Sequence, residues 1–272
     1  MNRPEQLSDV VPMPDVQSFR DERRIAIDRV GIKGLRYPLT FVDRDEVACT
    51  TIATCNVYVA LPEDRKGTHM SRLVALLEDH SAGDAESLSV ANLRTLVEDL
   101  LVRLDAPGAR VELAFPFFVR KTAPVSGVAS VLDYDVRLAA DLTNGQYTRT
   151  ITVSVPVTSL CPSSKEVAAY GAHSQRSVVT IGVRPRSHLF VAELLRVAEE
   201  EASAELYGIL KRADEKYVTE RAYDNPRFVE DLVRGVASRL AADARIDGYF
   251  VEAENFESIH NHSAFARIAR GF

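Results

Sequence analysis

The chain has 272 residues and a formal net charge of −6, from 33 Lys and Arg against 39 Asp and Glu. With 46% hydrophobic and 26% charged residues it can bury a sizeable core and is no disordered chain, and its acidic balance argues against a nucleic-acid partner, which selects for basic faces. Three cysteines, no apolar run of about 18 residues and a polar leading MNRPEQLSDVVPMPDVQ exclude a disulfide framework and predict a cytoplasmic protein without membrane span or signal peptide.

Residues 1–20 are polar and Pro-rich and predict an arm that is loose or ordered only on contact. Residues 23–41 read as a strand broken at Gly31–Gly34, and residues 46–62 as a long antiparallel strand. Val47, Cys49, Thr51, Ala53, Cys55, Val57, Val59 and Leu61 share one face of that strand, which makes Cys49 and Cys55 small core residues. Ser71–His80 predicts a short helix ended near Gly83, and Ser89–Asp105 an amphipathic one through Val90, Leu93, Leu96, Val97, Leu100, Leu101 and Leu104. Strands follow at 110–121 and 129–142. Asn144-Gly145 is the hairpin signal, because this pair accepts the positive φ angles of a type I′ turn, and Tyr147–Val157 is the partner strand. Ser177–Val183 reads as a strand. A helix capped by Ser187 runs to about Ser203, another starts with Asn225 as N-cap and Pro226 at its first position, and Gly248–Ala253 is a last strand.

Strands gathered around paired helices indicate an α+β, antiparallel class. The same layout is used twice, with modules at 1–143 and 144–272, and the exposed sheet ends predict pairing between subunits.

Polar or reactive residues crowd into the second half. Cys161, in PVTSLCPSSKE, follows a strand and precedes Pro162; it is either a buried core cysteine or a strand-end thiol available for chemistry. His173, in YGAHSQRS, lies in the next loop, so that the two can form a thiolate–imidazole metal pair or a nucleophile–base pair. Lys211–Asp231 is a charged stretch whose default reading is a solvated face, with Glu230 in the first turns of the helix begun by Asn225. His260 and His262 would share a face on a strand and suit metal ligation or acid–base work. Lys66, His69 and Arg72, in KGTHMSR, surround a helix start that is either a plain cap or an anion site. GxGxxG, Walker A, HExxH and GxSxG motifs are all absent.

Taken together, KGTHMSR, PVTSLCPSSKE, YGAHSQRS, DEKYVTERAYDNPRFVED and ENFESIHNHSA, in that order between Asp15 and Ser263, resemble the type IB GTP cyclohydrolases. One departure is Ser163, where that family usually has a second cysteine. The resemblance implies a tunnelling fold (T-fold), with two tandem ββααββ-like modules assembled into the oligomeric barrel of a homotetramer. It implies conversion of GTP and water to formate and 7,8-dihydroneopterin triphosphate, the entry to tetrahydrofolate and to some deazapurine tRNA bases. Cys161, His173 and Glu215 would ligate a divalent metal, Mn²⁺, Fe²⁺ or Zn²⁺. Glu230 would anchor guanine, and Cys161, His260 and His262 would stand at the reacting centre. Lys66, His69, Arg72 and Arg176 are the candidate triphosphate cations, some of them reaching the site from a neighbouring subunit. A cyclohydrolase that stops at a cyclic phosphate, and a non-catalytic purine or pterin binder, are the alternatives.

Overall fold

The computed structural model describes residues 14–43, 48–81, 88–89 and 92–272. Strands β1 (Ile27–Val42) and β2 (Ala48–Leu61) pair antiparallel. On β2 the odd-numbered residues from Thr51 to Leu61 are buried, as the alternation predicts. Cys49 is half-buried and Cys55 buried, and burial pushes the Cys55 thiol pKa up to about 11, as expected of core filler. Val47 lies outside the described residues. The break expected at Gly31–Gly34 is a bulge: the register shifts between Ile32 and Leu35, Gly34 takes φ 75°, and its N–H donates to the Asn56 side chain at 2.8 Å. The described part of the leading arm is tied down, with Lys66 N donating to Phe19 O at 3.0 Å and Gly67 N to Gln17 O at 3.1 Å.

Helix α1 (Met70–Ser81), the short strand β3 (Leu88–Ser89) and α2 (Leu93–Leu104) follow. The second helix begins four residues later than its periodicity suggests, because Leu88 and Ser89 pair in parallel with Phe41 and Val42. Gly83 and Val90 lie outside the described residues. Strands β4 (Gly108–Thr122), β5 (Ala129–Thr143) and β6 (Gln146–Leu160) form a meander, and the β5–β6 turn has φ 53° at Asn144 and 74° at Gly145, as a type I′ turn requires. Next come α3 (Pro162–Val167), β7 (Ser174–Pro185), α4 (Val191–Glu201), β8 (Ala204–Glu205), α5 (Arg212–Asp224), α6 (Val229–Ala242), β9 (Ile246–Asn255) and β10 (Ala264–Arg270).

Two predicted caps are corrected. Ser187 does not cap α4; its first amides, Val191 N and Ala192 N, donate to the Asp43 carboxylate at 2.8 and 2.9 Å, a cap supplied from the end of β1. Asn225 closes α5 instead of opening α6: its N–H bonds Arg221 O at 3.1 Å, and its side chain donates to Ala202 O at 2.8 Å.

The strands form one ten-stranded sheet in the order β10-β9-β7-β6-β5-β4-β2-β1-β3, with β8 paired to β6 off this path. Cys55, Leu113, Leu138, Ile151 and Val183 are successive register partners, so the buried side chains form rows on a single face. Helices α1, α2, α4 and α6 cover that face, and one core cluster runs across the whole sheet. The expectation of a tunnelling fold with two tandem ββααββ-like modules is therefore corrected. Strands β5 and β6 pair continuously from Asp135–Ser154 to Thr143–Gln146, which fuses both halves into one sheet. The connections carry helix–strand–helix between β2 and β4, and helix–strand–helix–helix between β7 and β9, rather than a plain helix pair.

Candidate active site

Three strands end together. Leu160 and Ser174 are the last register pair of β6 and β7, and Asn255, the last residue of β9, pairs with Ser177. The β6–β7 ladder then takes one more step, with Cys161 N donating to His173 O at 3.1 Å. Cys161 also caps α3: its Sγ accepts from Ser164 N at 3.4 Å, and Pro162 takes the first helical position. The Ser164 hydroxyl fastens both sides of the loop, donating to Cys161 O at 3.1 Å and accepting from His173 N at 3.1 Å. Cys161 is half-buried and, unlike Cys49, is not packed against a core cluster, which decides against the buried-core reading.

His173 turns Nδ1 toward three oxygens: Gln175 Oε1 at 2.9 Å, Ser258 Oγ at 3.4 Å and Glu257 Oε2 at 3.9 Å. Helix α6 enters over the same end, with Arg227 N donating to Leu160 O at 3.0 Å. Glu230 is an exposed carboxylate in its first turn, and the Asp231 side chain accepts from Phe228 N at 3.0 Å. His260 and His262 lie in the exposed β9–β10 connection with rings stacked at 5.2 Å, not on a strand. The start of that connection carries Glu257 and Ser258, so it is seated on His173.

Glu215 stands in the first turn of α5, a helix that buries only Asp214 and Ala222. This helix is held by a clamp rather than by an apolar stripe. The fully buried Asp214 carboxylate accepts from Val125 N, Ser126 N and Lys211 N at 2.8 Å each and from Ser126 Oγ at 2.6 Å. Burial alone would raise the Asp214 pKa, but these bonds together outweigh it and hold it well below the carboxylate range. A depressed folded-state pKa contributes stability that is complete above the unfolded value of about 3.9 and is lost as pH falls through the folded one. Asp214→Asn is thus expected to lower Tm at neutral pH by several degrees and to flatten the decline of Tm below about pH 4, as calorimetry across that range would register. An unchanged acid limb would contradict the clamp.

Among the described residues no three His, Cys, Asp or Glu side chains stand close enough to hold a metal ion, so Glu215 is not drawn up to Cys161 and His173 within this chain. Lys66, His69 and Arg72 lie farther off. They follow Leu61, at the sheet end where β6 begins, whereas Cys161 is where β6 finishes, about 50 Å along a strand of this length. There His69 Nε2 meets Asp15 at 3.0 Å and Arg72 donates to Arg103 O at 3.4 Å. Arg176 is exposed on β7 beside Gln175, and its carbonyl accepts from Phe256 N at 3.0 Å. Gln175, Ser159, Asp214 and Glu257 were invisible as site residues; for Gln175 the available signal was its spacing two from His173 on a strand, which puts both on one face.

A protein-family profile described as "Type I GTP cyclohydrolase folE2" matches residues 13–266. The chain belongs to this family. Among curated members, GTP cyclohydrolase FolE2 2 of Cupriavidus metallidurans is 58% identical over 96% of this chain and 97% of its own length. GTP cyclohydrolase FolE2 of Burkholderia ambifaria is 56% identical over 97% of each. In solved structures this cyclohydrolase resembles urate oxidases. The Bacillus sp. TB-90 enzyme superposes with a TM-score of 0.55 over 90% of this chain and 98% of that one at 8% identity. Uricase from Arthrobacter globiformis gives a TM-score of 0.51 at 10% identity, over 89% and 92% of the two chains. At such identity the likeness is one of fold alone, and it is the urate oxidase architecture that replaces the expected one.

Proposed function

We propose that this GTP cyclohydrolase opens the guanine imidazole ring at the end of the sheet where β6, β7 and β9 finish together. The reaction is GTP and water to formate and 7,8-dihydroneopterin triphosphate, the first step toward tetrahydrofolate. The observation that carries the location is the fastening of Cys161 to His173 through Cys161 N, His173 O and the Ser164 hydroxyl, with α6 and the β9–β10 connection closing over them.

The donor set fits a divalent metal in kind: a half-buried thiol and an imidazole whose Nδ1 is engaged, which directs Nε2 outward as a ligand. Cys161 and His173 would hold Mn²⁺, Fe²⁺ or Zn²⁺, with Glu215 as third ligand once α5 or its side chain shifts. When bound, such an ion supplies a Lewis acid and a water of lowered pKa, which the poorly electrophilic C8 of guanine requires. The chain's own groups do the rest. Glu230 accepts from the N–H edge of guanine and rejects adenine, whose edge would leave the carboxylate unpaired. His260 and His262 move protons to the ring nitrogens as the C8–N9 bond opens and as water then cleaves the C8–N7 bond to release formate.

The triphosphate is met by Arg176 of the same chain and by Lys66, His69 and Arg72 of a neighbouring copy, since one chain holds those three at the far end of its sheet. A homo-oligomer, with four subunits as the family resemblance implies, completes the site. Incubation of the metal-loaded protein with GTP should yield a fluorescent pterin whose mass retains all three phosphates. A cyclic-phosphate product would place the protein with cyclohydrolases that stop earlier, and tight GTP binding without turnover would make it a binding protein.

A further inference from the structure

We propose that Gln175 is a positioning residue that keeps the His173 proton on Nδ1 and so reserves Nε2 as the ring's ligating atom; this rests on the reading of His173 as a metal ligand. In water a neutral imidazole favours the proton on Nε2, so a site that needs that lone pair must impose the other tautomer. An amide can present either end to a ring; here Gln175 Oε1 faces Nδ1 at 2.9 Å, and its surroundings suit that orientation. Glu257 Oε2 stands 3.9 Å from Nδ1, beyond hydrogen-bond reach, where a carboxylate favours a proton on the nitrogen facing it without bonding it. Behind the ring, Gln175 Nε2 donates to Ser159 Oγ at 2.9 Å, and Ser159 Oγ lies 2.7 Å from Ser177 Oγ.

Both serines are fully buried and Gln175 is 8% exposed, so the amide is held within this row of side chains and away from solvent. Across the β7–β9 pair from Ser177 stands Asn255, whose Oδ1 is buried without a hydrogen-bond partner. The row runs His173, Gln175, Ser159, Ser177, with Gln175 Nε2 donating to Ser159 and either serine hydroxyl able to donate to the other. Strand alternation puts all of them on the helix-covered face, beneath the site.

The test uses metal-free, nitrogen-15-labelled protein above the imidazole titration range, with His173 ring signals assigned by difference from His173→Ala. Wild type should show protonated Nδ1. Gln175→Met should shift the proton to Nε2 and weaken Co²⁺ binding by about 10- to 100-fold, while Gln175→Glu, which restores an acceptor, should keep both properties near wild type. Ser159→Ala, which frees the amide to turn, should give a mixture of tautomers. Protonated Nε2 in wild type, or Gln175→Met with unchanged tautomer, would overturn the proposal, whatever its metal affinity. His173→Ala with undiminished Co²⁺ binding would instead overturn the ligand reading and leave the tautomer result standing.

Discussion

Replacing Cys161 by Ala or Ser is expected to abolish formate release from GTP while leaving the protein folded. Among the described residues the thiol's one hydrogen bond is the 3.4 Å contact from Ser164 N, and a bond of that kind contributes about 1 kcal/mol at most. Serine is the better helix N-cap and would keep even this contact, so Cys161→Ser should melt close to wild type. Activity is another matter. Losing an outer-shell partner of a metal ligand typically costs about 10- to 100-fold, and loss of the ligand itself must exceed that. Rates of formate release read beside calorimetric Tm values separate the two effects. A Cys161→Ser enzyme with more than about a tenth of wild-type activity would show that Cys161 is only the cap of α3.

Glu230→Gln is expected to lower kcat/KM for GTP by about 10- to 100-fold, with the loss concentrated in guanine recognition. Hydrogen bonds to a charged acceptor contribute about 1.5–3 kcal/mol, and glutamine replaces one accepting oxygen with an N–H that opposes the donor edge of guanine. Stability should hold, because the Asp231 side chain, not Glu230, accepts from Phe228 N at the start of α6. Inosine triphosphate, which lacks the exocyclic amine, is the diagnostic substrate: wild type should prefer GTP strongly and Glu230→Gln should lose most of that preference. Equal preference in both enzymes would remove Glu230 from the guanine site.

What could be read in advance followed from local physics. Two-residue alternation located most strands, and Asn144-Gly145 marked its turn because only a few residue types accept its backbone. The misreadings arose where distant partners decide. Helix α5 is the solvated charged face that its sequence suggests, with only Asp214 and Ala222 buried; what was not legible is its anchor, a carboxylate clamped by residues 125 and 126 nearly ninety positions away. Asn225-Pro226 satisfies the rule for a helix start, yet the Asn closes the preceding helix. Strand β10 mixes Arg267 and Arg270 with apolar residues as an edge strand does, and no alternation announced it. The ββααββ expectation failed in the connections, where the short strands β3 and β8 interrupt the helices and pair through registers that no local pattern announces, while the hairpin at Asn144-Gly145, itself legible, joins both halves into one sheet. At the site, the blocks around Cys161 and His173 were legible as sequence, but the row of Gln175, Ser159 and Ser177 behind His173 exists only once the register of β6 on β7 is known.

The central claim is that the end of the sheet at Cys161 and His173 removes C8 of guanine as formate. Its most direct test is GTP labelled with carbon-13 at C8, incubated with the metal-loaded protein and followed by NMR. The account predicts labelled formate appearing one for one with an unlabelled pterin triphosphate, arrested by a chelator and absent in the Cys161→Ala and His173→Ala enzymes. Labelled formate at an undiminished rate from both variants, or a pterin that retains the label, would contradict it.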